Sequence, residues 1–288
     1  MVTLENAHLE AGVSSAGAEL VHLRHRRGGD FLWDGDPVWW KGRAPLLFPI
    51  VGRVPDDHIL AGGQKYPMRQ HGLARISEFT LIRASGGDCV FSLESSPATH
   101  VHYPFDFRLE VTYALDGPSL SLSACVTNTG RGPMPVSFGF HPAFRWPLPG
   151  TAGKGAHSVV FDEAEPAPVR RLSDGLLMPE LFPTPVEGRT VALRDSLFAA
   201  DALVFDQLVS RGVTYRSTHA SVRIAFPGMP HLGIWSRPGA GFVCIEPWHG
   251  YAAPDGFLGE LAEKPGVSNV TPGSAATFSM SIAIEDES

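Results

Sequence analysis
Two stretches of the chain place an ionisable side chain at the end of an apolar alternation and then stop at a proline. In SFGFHPAF, residues 137–144, the period of a strand puts Val136, Phe138 and Phe140 on one face and Ser137, Gly139 and His141 on the other. Pro142 confines His141 to extended backbone and removes the next main-chain donor, so the strand ladder is expected to end there. GFVCIEPW, residues 241–248, repeats the device: Phe242, Cys244 and Glu246 share a face, Pro247 follows the glutamate, and Trp248 comes next. Brought together, an imidazole and a carboxylate make an acid and base pair. A carboxylate on an apolar strand is costly to bury without a partner or a task. Each residue alone also has a plainer explanation, since a strand histidine can simply pack and a buried glutamate can simply pair with an arginine.

Two further segments add groups that could hold a polar ligand. APLLFPIVGRV, residues 44–54, delivers Arg53 after Gly52, and MRQHGLAR, residues 68–75, sets His71 before Gly72 in an expected loop, with Arg75 behind it. A guanidinium suits bidentate contact with vicinal hydroxyls or phosphate oxygens, although a surface salt bridge explains a lone arginine equally well. Trp33, Trp39, Trp40, Trp146, Trp235 and Trp248 offer flat faces for the C–H side of a sugar, or bulk for a core. His141, His71 and Glu246 could be written as a zinc site, as could Cys244, Glu246 and His249. With no HExxH and no closely spaced ligand pair the first is not expected to hold a metal, and in the second Cys244 and Glu246 share a strand face but Pro247 breaks the register before His249.

The elements that must position these residues read as strands. Thirty-one glycines and 25 prolines punctuate 288 residues, and helical periodicity is scarce. Alternation from Phe105 to Leu115, the turn DGPS, and alternation from Leu120 to Val126 predict a hairpin with one buried face. Phe79 and Leu81 pair with Cys89, Phe91 and Leu93 across ASGGD in a second, and Phe278, Met280, Ile282 and Ile284 close the chain at period two. Short helices are expected over 196–208, with Asp195 as N-cap, and over 256–263. Residues 147–157 read as a long mobile loop. With no repeat and no linker-like shift, the simplest organisation is one all-β domain over 1–288, built as stacked antiparallel sheets.

Bulk properties narrow the partners. A hydrophobic content of 43% is ample for a core, and a net charge of -7 with a pI near 5.9 supplies no basic stripe for nucleic acid. No apolar run is long enough for a bilayer and the N-terminus has no signal pattern, so a cytoplasmic protein is expected. Cys89, Cys125 and Cys244 form no CxxC pair and are expected to be reduced and buried.

Seven segments in order, GAEL (17–20), FLWDGDPVWW (31–40), LLFPIVGRV (46–54), YPMRQHGLAR (66–75), YPFDFRLEVTY (103–113), FGFHPAFRWPLP (138–149) and CIEPWHG (244–250), resemble the aldose 1-epimerase (galactose mutarotase) superfamily, and within it the LacX-like branch. The resemblance covers nearly the whole chain. It implies a large antiparallel β-sandwich, no metal, no organic cofactor, and an aldose as partner, with the protein a monomer or homodimer. It further implies Glu246 as the base that takes the proton of the anomeric hydroxyl and His141 as the acid that protonates the ring oxygen. His71 is then the other catalytic histidine, positioning the sugar and polarising its ring oxygen, while Arg53, Arg75 and Trp248 bind the sugar. The family's sugar-binding aspartate maps best onto Asp201, with Asp206 five residues on. Two other readings stand beside this one: a hexose 6-phosphate substrate held by Arg43, Arg53 or Arg75, and a sugar-binding protein without catalysis.

Overall fold
A computed structural model describes residues 1–286 of the chain. The 105–126 alternation becomes two long strands, Phe107–Asp116 and Ser119–Asn128, paired from Phe107 opposite Asn128 to Asp116 opposite Ser119. Gly117 takes the positive φ that this tight reversal needs. Leu109, Val111, Tyr113, Leu120, Leu122, Ala124 and Val126 are all buried, as the alternation requires. The closing alternation forms a strand over Ala275–Asp286 that pairs beside Ser119–Asn128. These strands centre a nine-stranded antiparallel sheet. Its edge is the second expected hairpin, Thr80–Ala84 with Asp88–Glu94, with a bulge between Leu81 and Arg83; every residue of the outer strand is exposed, Leu81 included.

A smaller antiparallel sheet carries the residues of interest. Its strands are β1 (Leu46–Leu47), β2 (Phe138–Phe140), β3 (Ala143–Arg145), β4 (Leu203–Phe205), β5 (His231–Trp235) and β6 (Phe242–His249). The order is β4-β5-β6-β2-β1, with β3 also paired to β6. One face of this sheet, with Phe138, Phe140, Phe144, Leu232, Ile234, Val243 and Ile245, packs into a continuous core with the nine-stranded sheet. Phe138 stacks on Phe278 of the larger sheet, ring centroids 5.1 Å apart and planes 10° from parallel. The other face looks away from the sandwich.

The helix expectations fail. Residues 196–208 hold only a 3-10 turn at Asp195–Phe198 and then β4, because Leu203 and Phe205 are needed in the core of the smaller sheet. Residues 256–263 hold only a turn at Leu261–Glu263. The single α-helix among the described residues is Pro97–His100, capped by Ser96. The 147–157 loop is pinned where the Trp146 indole donates to the Lys154 carbonyl at 3.1 Å and Lys154 pairs with Asp195 at 2.9 Å. No helix among the described residues is long and apolar enough to cross a membrane.

Candidate active site
The expected end of the β2 ladder is in fact a gap. Gly139 pairs with Trp248 and Ala143 with Cys244, so one register continues on both sides of His141 and Pro142 and sets His141 directly opposite Glu246. Directly opposed residues share a face and approach closely. His141 Nε2 accordingly lies 3.1 Å from Glu246 Oε2, and both side chains are almost completely buried. Pro142 keeps its carbonyl in the ladder, accepting from the Ile245 N–H at 3.2 Å. Glu246 also faces Gly233 of β5, so the pair sits in the middle of a sheet with a strand on either side.

Glycine makes room on this outer face. A Cβ on Gly233 would lie 2.3 Å from the Trp248 ring, and one on Gly139 would lie 2.7 Å from it. The indole therefore lies flat along the sheet beside the carboxylate. The small residue at Gly139 thus admits Trp248 to the face it shares with His141. On the other side Trp40 stacks on His141 at 5.0 Å, with Trp235 edge-on to both rings.

Above the pair is a cleft of about 870 Å³, its mouth included, lined by His141, Glu246, Trp248, Trp40 and Trp235 from the sheet side. Its far wall comes from loops: Gln70, His71, Arg75 and Asp201. A second groove, about 510 Å³, lies between the 54–65 hairpin and residues 257–261, where the ionisable groups Asp56, His58 and Lys65 are all exposed. The first cleft is the site with chemistry in it.

His71 adopts a positive φ of 66, and its Nδ1 accepts the Gly52 N–H at 3.2 Å. That bond leaves the ring proton on Nε2, and the ring stands edge-on to His141 at 5.6 Å. Burial, then the nearby His141 and Arg75, hold its pKa well below the usual range, so His71 is a neutral donor. Asp201 also takes a positive φ, in a turn whose carbonyls at Leu197 and Asp201 accept from Arg171. Asp206 instead pairs with Arg170 at 3.4 Å, outside the cleft lining.

Arg53 is not in the cleft. Its guanidinium forms a bidentate pair with Asp57, at 2.8 and 3.0 Å, and donates to the Asp174 carbonyl. The acid four residues along the turn takes the side chain that the preceding apolar run delivers. Arg43 is likewise committed to the carbonyls of Asp34 and Val21. Arg75 lines the cleft, with one bond to the Gln70 carbonyl at 3.0 Å.

The electrostatics of the central pair follow from burial. Desolvation, with the charge of Asp201 behind it, raises Glu246 well above the usual carboxylate range, while the Trp248 indole N–H, aimed nearby without a full hydrogen bond, opposes this in part. Desolvation also pushes His141 down to about 3. Both shifts favour an uncharged pair that holds one proton, on the carboxyl and shared towards the imidazole. Neither metal trio suggested by sequence is brought together as a set. His249 turns to the core face, beside Phe278 and Ser268. A different trio, His141, Cys244 and Glu246, converges instead.

In the sequence Trp40 and Trp235 stand out only as two of six tryptophans, and nothing marks Gln70. For Trp235 a signal existed: HLGIW alternates so that Gly233 and Trp235 share the face of Glu246.

A mostly antiparallel sandwich with an imidazole and carboxylate paired on its smaller sheet defines the class. The sequence profile described as Aldose 1-epimerase matches residues 1–255, and the chain belongs to that family. Among its relatives, Protein LacX of Lactococcus lactis subsp. lactis, in its plasmid form, is 32% identical over 98% of this chain and 99% of its own. A galactose mutarotase related enzyme from Lactobacillus acidophilus superposes with a TM-score of 0.92 at 30% identity, covering 99% of this chain and 97% of its own. A galactose mutarotase-like protein from Lactobacillus casei also gives 0.92, at 27% identity over 99% and 100%. The fold is the galactose-mutarotase sandwich.

Proposed function
We propose that the protein is an aldose 1-epimerase, interconverting the α and β anomers of an aldose by opening and reclosing the hemiacetal ring. The observation that carries this reading is the buried contact of His141 with Glu246 beneath a cleft of sugar size. Opening the ring removes one proton from the hydroxyl on C1, breaks the C1–O5 bond and adds one proton to O5. A pair sharing one proton is matched to that exchange. In its ionised form, Glu246 takes the C1 hydroxyl proton as His141 gives one to O5, and the pair ends as neutral carboxyl and neutral imidazole. Rotation about C1–C2 presents the other face of the aldehyde, and the same two transfers in reverse close the ring. The site's total proton count never changes, so no step waits on bulk water.

Burial favours the uncharged pair, which is the form that coexists with the open chain. It thereby offsets part of the cost of breaking the ring. His71, with its proton fixed on Nε2, donates to a sugar oxygen near His141. Asp201, Gln70 and Arg75 face the hydroxyls, and Trp248 and Trp40 cover the C–H surfaces. Exchange spectroscopy or polarimetry on free aldoses tests the proposal: interconversion must run well above the spontaneous rate. A protein that binds sugar and leaves that rate unchanged would be a carbohydrate-binding module instead.

One observation favours a second reading of the substrate. Of the three arginines considered for a phosphate, only Arg75 lines the cleft, and no carboxylate partner for it is found among the described residues. A hexose 6-phosphate that competes with free hexose, and whose advantage is lost in R75A, would select this reading.

A further inference from the structure
We propose that His141, Cys244 and Glu246 form a binding site for a soft divalent transition-metal cation of the zinc type, whose occupation shuts the proton-transferring pair. The imidazole nitrogen, thiol sulfur and carboxylate oxygen all lie within 4.8 Å of one another, and all three residues are buried. Sheet geometry places them there. Cys244 and Glu246 are alternate residues on one face of β6, and His141 stands opposite Glu246 across the gap between β2 and β3. A tetrahedral zinc ion holds nitrogen, sulfur and oxygen donors at about 2.0–2.3 Å. Side-chain rotations that draw the three donors inward satisfy that shell without moving the strands.

The donor set decides which ions fit. One nitrogen, one sulfur and one oxygen suit zinc or cadmium, whereas magnesium and calcium need oxygen-rich shells that this face does not offer. Three protein donors leave a fourth position towards the cleft, open to water or a sugar oxygen. Entry of the cation displaces the thiol proton of Cys244 and the carboxyl proton of Glu246, so the dication is neutralised by a thiolate and a carboxylate and two protons leave. His141 Nδ1 finds no partner outside its own residue, so the imidazole lacks the outer support that strong structural zinc sites have. Binding is therefore reversible, and its effect is inhibition: the ion occupies the same nitrogen and oxygen that would give a proton to O5 and take one from the C1 hydroxyl.

Binding stands independently of the epimerase reading; only the inhibition rests on it. The test titrates the purified chain with Co²⁺ and Zn²⁺. One ion per chain is expected, with a thiolate-to-cobalt charge-transfer band in the near ultraviolet that Zn²⁺ bleaches. C244A, or C244V if the alanine variant folds poorly, should lose that band and bind at least tenfold more weakly. Both variants keep their metal-free activity, while micromolar Zn²⁺ inhibits the wild type and a chelator restores it. A band that survives in C244A and C244V places the ion at Cys89 or Cys125 and overturns the proposal, as does absence of binding in the wild type. Metal binding without any anomer interconversion would leave this site standing and remove the epimerase reading.

Discussion
The molecule buries two clusters of titratable side chains along β6, and they are finished differently. His231, His249 and Lys264 each have a hydrogen-bond partner: His231 Nδ1 accepts the Gly250 N–H at 3.1 Å, His249 Nε2 meets Ser268 Oγ at 2.7 Å, and the Lys264 ammonium donates to the Tyr251 carbonyl. Around His141 and Glu246, a few residues earlier on the strand, His141 Nδ1 and the Trp248 indole nitrogen are left without a hydrogen bond between residues. His231 and Lys264 are buried as His141 and Glu246 are, with His249 half-buried, so desolvation alone does not separate a structural cluster from a functional one. What separates them is unfinished hydrogen bonding beside an open cleft, where a ligand can complete the set.

The sharpest way to break this contrast is to remove the proposed proton carriers. E246Q and H141N should each lower anomer exchange by about 100- to 10,000-fold while sugar binding stays measurable, whereas H249N should leave the rate close to wild type. Equal losses at both clusters would erase the distinction. Next in size is the bed of the indole: G233A must displace Trp248, and an overpacking penalty of roughly 1–3 kcal/mol should appear as weaker sugar binding together with a lower Tm.

Stability against pH sharpens the comparison further. Burial depresses Lys264 to about 7 from an ordinary value of 10.5, so between these limits the unfolded chain holds more protons and stability rises with pH. K264M should flatten that rise in thermal melts. Glu246 has the opposite sign: its raised pKa means stability falls as pH climbs above about 4.5, and E246Q should gain on the wild type progressively over that range in thermal melts. The smallest effect is expected at Arg53, which belongs to neither cluster; R53A should leave kcat/KM unchanged, and a large loss would return that side chain to the cleft.

Much of this was legible in the chain. Alternation marked the long strands, and the two proline-terminated segments marked His141 and Glu246. The contact between them was not legible, because register depends on both strands and on the connections that align them, and a single strand's pattern cannot state its partner. Arg53 shows a related limit. The apolar run before it fixes where its backbone goes, while the direction of its side chain is decided by Asp57, an acid visible in RVPDD. Residues 196–208 misled because β4 is three residues long, too short for period two to declare itself against a helical spacing.

The cleft also divides by the kind of backbone that supplies it. Of the two groups proposed to move protons, Glu246 stands on a paired strand and His141 in the short gap between two strands that pair with it, whereas Trp40, Gln70, His71, Arg75 and Asp201 all come from turns and loops. If the protein is the epimerase proposed above, proton transfer and choice of sugar fall largely on separable parts of the chain. On the proposed reading, exchanging the loops at 34–43, 72–76 and 199–202 while keeping His71 offers a route to a new substrate with the proton-transferring pair untouched, which makes the scaffold a platform for diversification.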